Sequence, residues 1–196
     1  MSRIIAGSAG GRQIATPAGA RTRPTTDRVR EALFAALASW AGTAARPPAE
    51  SLSGLAFCDL YAGSGAIGLE AASRGARPVL LVESDRRTAQ IARRNAADLG
   101  LTVQVQVAAV EGLAGRAAPS PYDVVVADPP YELPGERLSG VLTGLVEHGW
   151  LATRSLVVVE RSRRSLALAW PDPFGEIWVR HYGETVLCFG MPIASL

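Results

Sequence analysis

The sequence predicts an α/β chain on a mainly parallel sheet that ends in an antiparallel pair of strands, and three observations predict it. A short apolar stretch at residues 55–61 runs through a turn of small residues into a helical pattern. From residue 55 onward, strand-like and helix-like segments alternate, which is the pattern of a parallel sheet covered by helices. Near the end, β-rich runs at 176–182 and 185–190 flank a turn containing Gly183. They stand too close for a crossover helix and must pair antiparallel.

Taken in order, residues 1–26 are rich in Gly, Arg and Thr, with Ile4, Ile5 and Ile14 flanking the glycines at 7–11, and read as a β-hairpin extension. A helix is expected over 27–40, with Val29, Leu33, Leu37 and Trp40 on one face, followed by a Pro-containing linker at 43–53. The main domain is expected over 54–196. Its first helix carries Ile67, Leu69, Ala71 and Ala72 and stops at Gly75. A second strand covers 78–82. Ser84 and Asp85 are suited to cap the next helix, whose stripe Ala89, Ala92, Ala96 and Leu99 ends at Gly100. Arg86, Arg87, Arg93 and Arg94 on its other side read as a solvated face. Further strands follow at 103–108, 123–127 and 156–160, with a helix at 135–147 before the last of these; Val124, Val125 and Val126 suit a strand buried on both faces.

Composition sets limits. With 196 residues, 48% of them hydrophobic, the chain can bury one sizeable core, and no uninterrupted apolar stretch is long enough to span a bilayer. The N-terminus shows no secretory apolar segment. Cys58 and Cys188 fall in core strands and are expected to be reduced, and neither they nor His148 and His181 have zinc-ligand spacing. All 20 basic residues are arginine, as a GC-rich genome would give.

Two motifs carry chemistry. Gly63, Gly65 and Gly68 let the backbone turn sharply and let a ligand approach main-chain N–H groups. Asp59, at the end of the strand before them, faces a cation better than it faces a pyrophosphate. S-adenosylmethionine, with its sulfonium and α-amino group, fits that carboxylate. Glu83, at the end of the second strand, can accept from both ribose hydroxyls of an adenosine, whichever nucleoside cofactor is bound. The second motif is Asp128-Pro129-Pro130-Tyr131, at the end of the strand at 123–127. Its prolines stiffen the turn and remove two donors. The Asp128 carboxylate and Pro129 carbonyl can then hold both hydrogens of an exocyclic amine, with Tyr131 stacked on the base.

With these residues in view, the chain resembles the bacterial RsmD family. The similarity runs over nearly its whole length: Arg3 to Gly7 with Gly11-Arg12, Arg23-Pro24-Thr25, the block from Asp27 to Phe34, the segment from Asp59 to Ala76, Asp128 to Tyr131, and Tyr182-Gly183. The resemblance implies a Rossmann-like class I methyltransferase with a seven-stranded sheet. It implies methyl transfer from S-adenosylmethionine to the exocyclic N2 of a guanine in 16S rRNA, within the small ribosomal subunit or an assembly intermediate. Thr25 and Arg28, within the basic N-terminal tract, are expected close to the cofactor. Where such enzymes set a polar residue against the adenine, this chain has small residues around 108–111, so the contact expected there is main-chain, at Ala109.

Charge is uneven. Residues 1–30 hold six arginines against Asp27, a net of +5 in a chain of +2. Arg3, Arg12, Arg21, Arg23 and Arg30 are therefore expected to meet RNA phosphates. For Arg161, Arg163 and Arg164, phosphate contact and a solvated face stand as equal readings. A cytoplasmic monomer without metal is expected. The alternatives are an amino-methyltransferase acting on another base, such as adenine N6, an NAD(P) oxidoreductase reading Gly63, Gly65 and Gly68 as its fingerprint, and a non-catalytic RNA-binding protein.

Overall fold

The computed structural model describes residues 2–17, 26–130 and 132–193. The chain opens with a small antiparallel hairpin, β1 (Ser2–Arg3) and β2 (Gln13–Ile14), in the place expected. Helix α1 (Asp27–Trp40) starts at Thr26, whose hydroxyl accepts from Val29 N. The main sheet follows as β3 (Phe57–Leu60), β4 (Val79–Glu83), β5 (Gln104–Val107), β6 (Tyr122–Ala127), β7 (Leu151–Ser162), β8 (Phe174–Tyr182) and β9 (Thr185–Pro192). Between them lie α2 (Ala66–Ser73), α3 (Arg86–Leu99), α4 (Val110–Ala114) and α5 (Gly135–Glu147).

The sheet runs β5-β4-β3-β6-β7-β9-β8. The pairings from β5 to β7 are parallel, while β9 lies antiparallel between β7 and β8. This is the expected class I arrangement, a parallel sheet closed by an antiparallel hairpin. After β5 the chain returns to the other side of β3 to form β6, so strand order reverses between β3 and β6. In an open α/β sheet, the crevice beyond the strand ends at such a reversal is where ligands bind.

Strand alternation divides the core in two. Phe57, Leu81, Val124, Val126 and Val158 point to the face covered by the hairpin, α1, α2 and α3. Cys58, Leu80, Val125, Val157 and Val159 point to the face covered by α4 and α5. Phe57 is wholly buried, and full burial of such a side chain stabilises the fold by about 1.5–3 kcal/mol. Both cysteines are free and buried.

Three local expectations change. The hairpin and α1 are part of the main core, because Ile4, Ile14, Leu33 and Phe34 share one apolar cluster with Phe57 and Val124. Residues 43–53 are packed: Pro48–Glu50 form a 3-10 turn, Leu52 is fully buried, and the buried Thr43 hydroxyl bonds Ala38 O at 3.2 Å. Strand β7 begins at Leu151, five residues before the apolar run that predicts it, because Tyr122 pairs with Leu151 and the register shifts before Val124 meets Leu156. The short helix α4 has no counterpart in the sequence reading.

Candidate active site

Beyond the C-terminal ends of β3, β4 and β6 lies an open cavity of about 760 Å³. The sequence-predicted residues Asp59, Gly63, Glu83, Ala109, Asp128, Pro129 and Pro130 all line it. Residues from three strand ends, separated in sequence, thus meet at one place.

Asp59 is 1% exposed and accepts a hydrogen bond from Gly68 N at 2.8 Å. Burial first, with the Asp128 and Glu83 carboxylates adding to it, pushes its carboxyl up to about 8 against the opposing bond from Gly68. Gly68 has a packing role and does not line the cavity. A Cβ there would lie 2.8 Å from Leu81 Cδ1 and 3.2 Å from Asp59 Cβ, so the glycine lets α2 press against β4 and bring its N–H to Asp59. Gly65 likewise packs against Leu81, at φ 89°. Gly63 is the glycine that faces the cavity, with φ 55° and open space where a Cβ would be.

Glu83 fixes the glycine loop. Its Oε2 accepts from Gly63 N at 2.9 Å and its Oε1 from Asp85 N at 2.8 Å. Carboxylate oxygens have lone pairs to spare beyond these bonds, so Glu83 can still receive ribose hydroxyls. Asp85 caps α3 through Thr88 N at 2.7 Å, which frees Glu83 from capping.

Tyr61 and Glu111 are site residues that sequence reasoning missed. Tyr61 lies just beyond β3 with φ 62°, the only non-glycine with positive φ among the described residues, and its hydroxyl donates to Glu111 Oε1 at 3.4 Å. Burial, then the Glu111 charge, holds its hydroxyl above the usual phenol range. Strained backbone of this kind gathers at functional sites, but only coordinates reveal it. Glu111 fell inside the run read as small and apolar. Thr16, Pro17 and Arg137 also line the cavity, and no local signal marks them, since tertiary packing brings them there.

The arginines separate into different roles. Arg30 is fully buried, which corrects its expected phosphate contact. Its guanidinium bonds Arg3 O at 2.9 Å and Asp27 Oδ1 at 2.7 Å, while its Nε stays buried without a partner. Those bonds tie the hairpin to α1, and hydrogen bonding from Arg30 holds the Asp27 carboxyl below its usual range. Arg12 is committed to the end of α3, bonding Leu99 O at 3.1 Å and also Asp98 O. Arg3 is exposed and pairs with Asp27 at 2.9 Å. Arg28 is exposed and does not line the cavity. Arg163 and Arg164 are exposed, and Arg164 pairs with Glu184 at 3.4 Å. Arg161 is half-buried with its Nε unpartnered. Tyr131, Thr25, Arg21 and Arg23 lie outside the described residues.

The family model described as "Conserved hypothetical protein 95" matches residues 2–191. Ribosomal RNA small subunit methyltransferase D of Escherichia coli K12 is 38% identical over 160 residues, covering 81% of this chain and 73% of that protein. A solved Escherichia coli chain, yhhF, described only provisionally as a methyltransferase, superposes with a TM-score of 0.82 at 30% identity, covering 99% of both chains. A 16S rRNA guanine-N2 methyltransferase of Thermus thermophilus, solved with AdoMet and guanosine, superposes with a TM-score of 0.64. At 20% identity, over 89% of this chain and 44% of that one, it supports the fold alone.

Proposed function

Because the chain belongs to the RsmD family, the one described as Conserved hypothetical protein 95, we propose that it transfers a methyl group from S-adenosylmethionine to the exocyclic N2 of a guanine in 16S rRNA. The observation that carries this reading is the meeting of Asp59, Glu83 and Asp128-Pro129-Pro130 around one cavity. The Glu83 and Asp128 carboxylates at one strand-end crevice, with the Asp59 carboxyl ready to ionise beside them when a cation enters, disfavour an anion and favour a cation. A dinucleotide pyrophosphate is disfavoured there, which sets the oxidoreductase alternative aside.

S-adenosylmethionine supplies a methyl group on a positively charged sulfur that leaves as a neutral thioether. The residues fit it: a buried Asp59 that burial and two neighbouring carboxylates keep from ionising regains its charge when a cation is present. Gly63 leaves backbone open beside Glu83, which can hold the ribose.

On the substrate side, the amine nitrogen of guanine is a poor nucleophile because its lone pair is delocalised into the ring. Asp128 and the Pro129 carbonyl accept its two hydrogens and hold the nitrogen so that its lone pair meets the methyl carbon. As the N–C bond forms and the C–S bond breaks, positive charge moves to the nitrogen, where Asp128 stabilises it and receives the departing proton. Tyr131 stacks on the base in this reading. Ala109 gives a main-chain contact to the adenine, and Thr25 lies near the cofactor, while Arg28, exposed and away from the cavity, takes no part in holding it. Arg3, Arg21 and Arg23 meet phosphates, while Arg12 contributes through docking of the hairpin. The enzyme acts as a cytoplasmic monomer on the small subunit or its assembly intermediate.

Mapping methylated nucleosides in 16S rRNA tests the reading. RNA from a strain lacking this gene should miss one N2-methylguanosine, which the purified protein restores with S-adenosylmethionine. An unchanged N2-methylguanosine map together with a lost N6-methyladenosine would assign the enzyme to a different base.

A further inference from the structure

Asn95 occupies a position on α3 where the helical stripe calls for an apolar residue. Its neighbours on that face, Ala89, Ala92, Ala96 and Leu99, are buried, and Asn95 itself is only 3% exposed. A buried amide is costly unless its donors and acceptor are satisfied, and this one is fully engaged. Its Oδ1 accepts from Ala15 N at 2.9 Å, and its Nδ2 donates to Ala15 O at 2.9 Å and to Ser64 O at 3.0 Å.

The two segments it holds are both walls of the cavity. Ala15 leads from β2 directly into Thr16 and Pro17, which line it, and Ser64 lines it from the glycine loop. We infer that Asn95 is a positioning residue for the methyl-donor site: it fixes the exit of the N-terminal hairpin against the glycine loop and so sets the shape of the donor cavity. This rests on the proposed reading of that cavity as the donor site. The side chain suits the task because one planar amide can serve both the N–H and C=O of Ala15 and still reach a second carbonyl. An aspartate keeps the acceptor but turns a carboxylate towards the Ala15 and Ser64 carbonyls, and a leucine keeps only the volume.

The hairpin has a second anchor away from the cavity, which separates holding the hairpin from shaping the site. Ser73 Oγ accepts from Ala9 N at 2.9 Å and donates to Ala6 O at 2.7 Å, and none of these three residues lines the cavity. Loss of that anchor loosens the hairpin without touching the glycine loop.

The test titrates S-adenosylhomocysteine into the wild type, Asn95→Leu, Asn95→Asp and Ser73→Ala, with thermal melts of each unliganded protein and steady-state kinetics in the methyl donor. Both Asn95 variants should raise the dissociation constant and the KM for the donor about tenfold, with kcat at saturation within about twofold of wild type. Ser73→Ala should lower the melting temperature comparably yet change the dissociation constant less than about twofold. Folded Asn95 variants with wild-type affinity overturn the inference, as does a Ser73→Ala protein that loses as much affinity as they do. If neither Asn95 variant folds well enough to titrate, Asn95 is a core strut and the inference fails. A wild type that does not bind S-adenosylhomocysteine overturns the donor-site reading itself, a distinguishable result.

Discussion

Asp59 and its neighbours make a pH-dependent device at the scale of single residues. In the unfolded chain its carboxyl has an ordinary value near 3.8, whereas in the fold burial holds it at about 8. The folded state therefore binds the extra proton between these values. Its stabilising contribution is complete below the unfolded value and declines as pH rises to about 8, levelling above that. Denaturant unfolding of the unliganded protein should show this decline, and Asp59→Asn should remove most of it. Cofactor binding follows the opposite trend, because a cation prefers the ionised form. Between about pH 6 and 8, the affinity advantage of wild type over Asp59→Asn should grow with pH. Taking the difference cancels titration of the cofactor's own amino group. At the upper end the variant should be weaker by roughly 1–3 kcal/mol, the cost of losing hydrogen bonds to a charged group. A difference that is flat with pH would remove Asp59 from the donor site.

At the scale of elements, the docking of the hairpin on α2 depends on one glycine. Gly7 has φ 87°, and a Cβ there would meet Ser73 O at 2.1 Å. The same contact brings Ser8 N to Ser73 O at 2.8 Å, while the fully buried Glu70 accepts from Ile5 N and Ala6 N. Gly7→Ala should cost about 1–3 kcal/mol of stability, the range for overpacking a tight contact. Hydrogen exchange should show faster loss of protection at Ser8 and Ala9 than in β6, and unchanged protection there would contradict this docking. Elements whose signals are local were legible in the sequence. The Asp85 and Gly100 caps bracket α3 in the structure as they do in the sequence, and the N-terminal hairpin, expected from isoleucines flanking a glycine-rich turn, and α5 stand where the sequence places them. What could not be read depends on contacts between distant segments: burial of Arg30, packing of residues 43–53, and the β7 extension paired with Tyr122.

At the scale of the whole molecule, the same division holds for the site. That Asp59, Glu83 and Asp128 meet at one cavity could be read because each stands at a strand end beside a recognisable turn, and a parallel sheet must bring those ends together. Tyr61 and Glu111 could not, since a backbone φ and a 3.4 Å approach exist only in the fold. The surplus of positive charge in residues 1–30 concerns how the RNA is found. RNA affinity should fall steeply with salt. Replacing Arg3, Arg21 and Arg23 together with Ala should flatten the slope of log K against log salt by about 2 units if each meets a phosphate. Arg12 and Arg30 are left out because their side chains hold the hairpin and α1. An unchanged slope in filter-binding measurements would move RNA contact to Arg163 and Arg164.

In the proposed mechanism Asp128 acts on the substrate amine while Asp59 and Glu83 hold the cofactor, and a single variant separates the two roles. Asp128→Ala should be measured for S-adenosylhomocysteine affinity by calorimetry and for methyl transfer to small-subunit RNA under saturating donor. Cofactor affinity should change by less than about 1 kcal/mol while transfer falls by at least about 100-fold, as expected when a group acts mainly in the transition state. Near-normal turnover in Asp128→Ala would contradict the account.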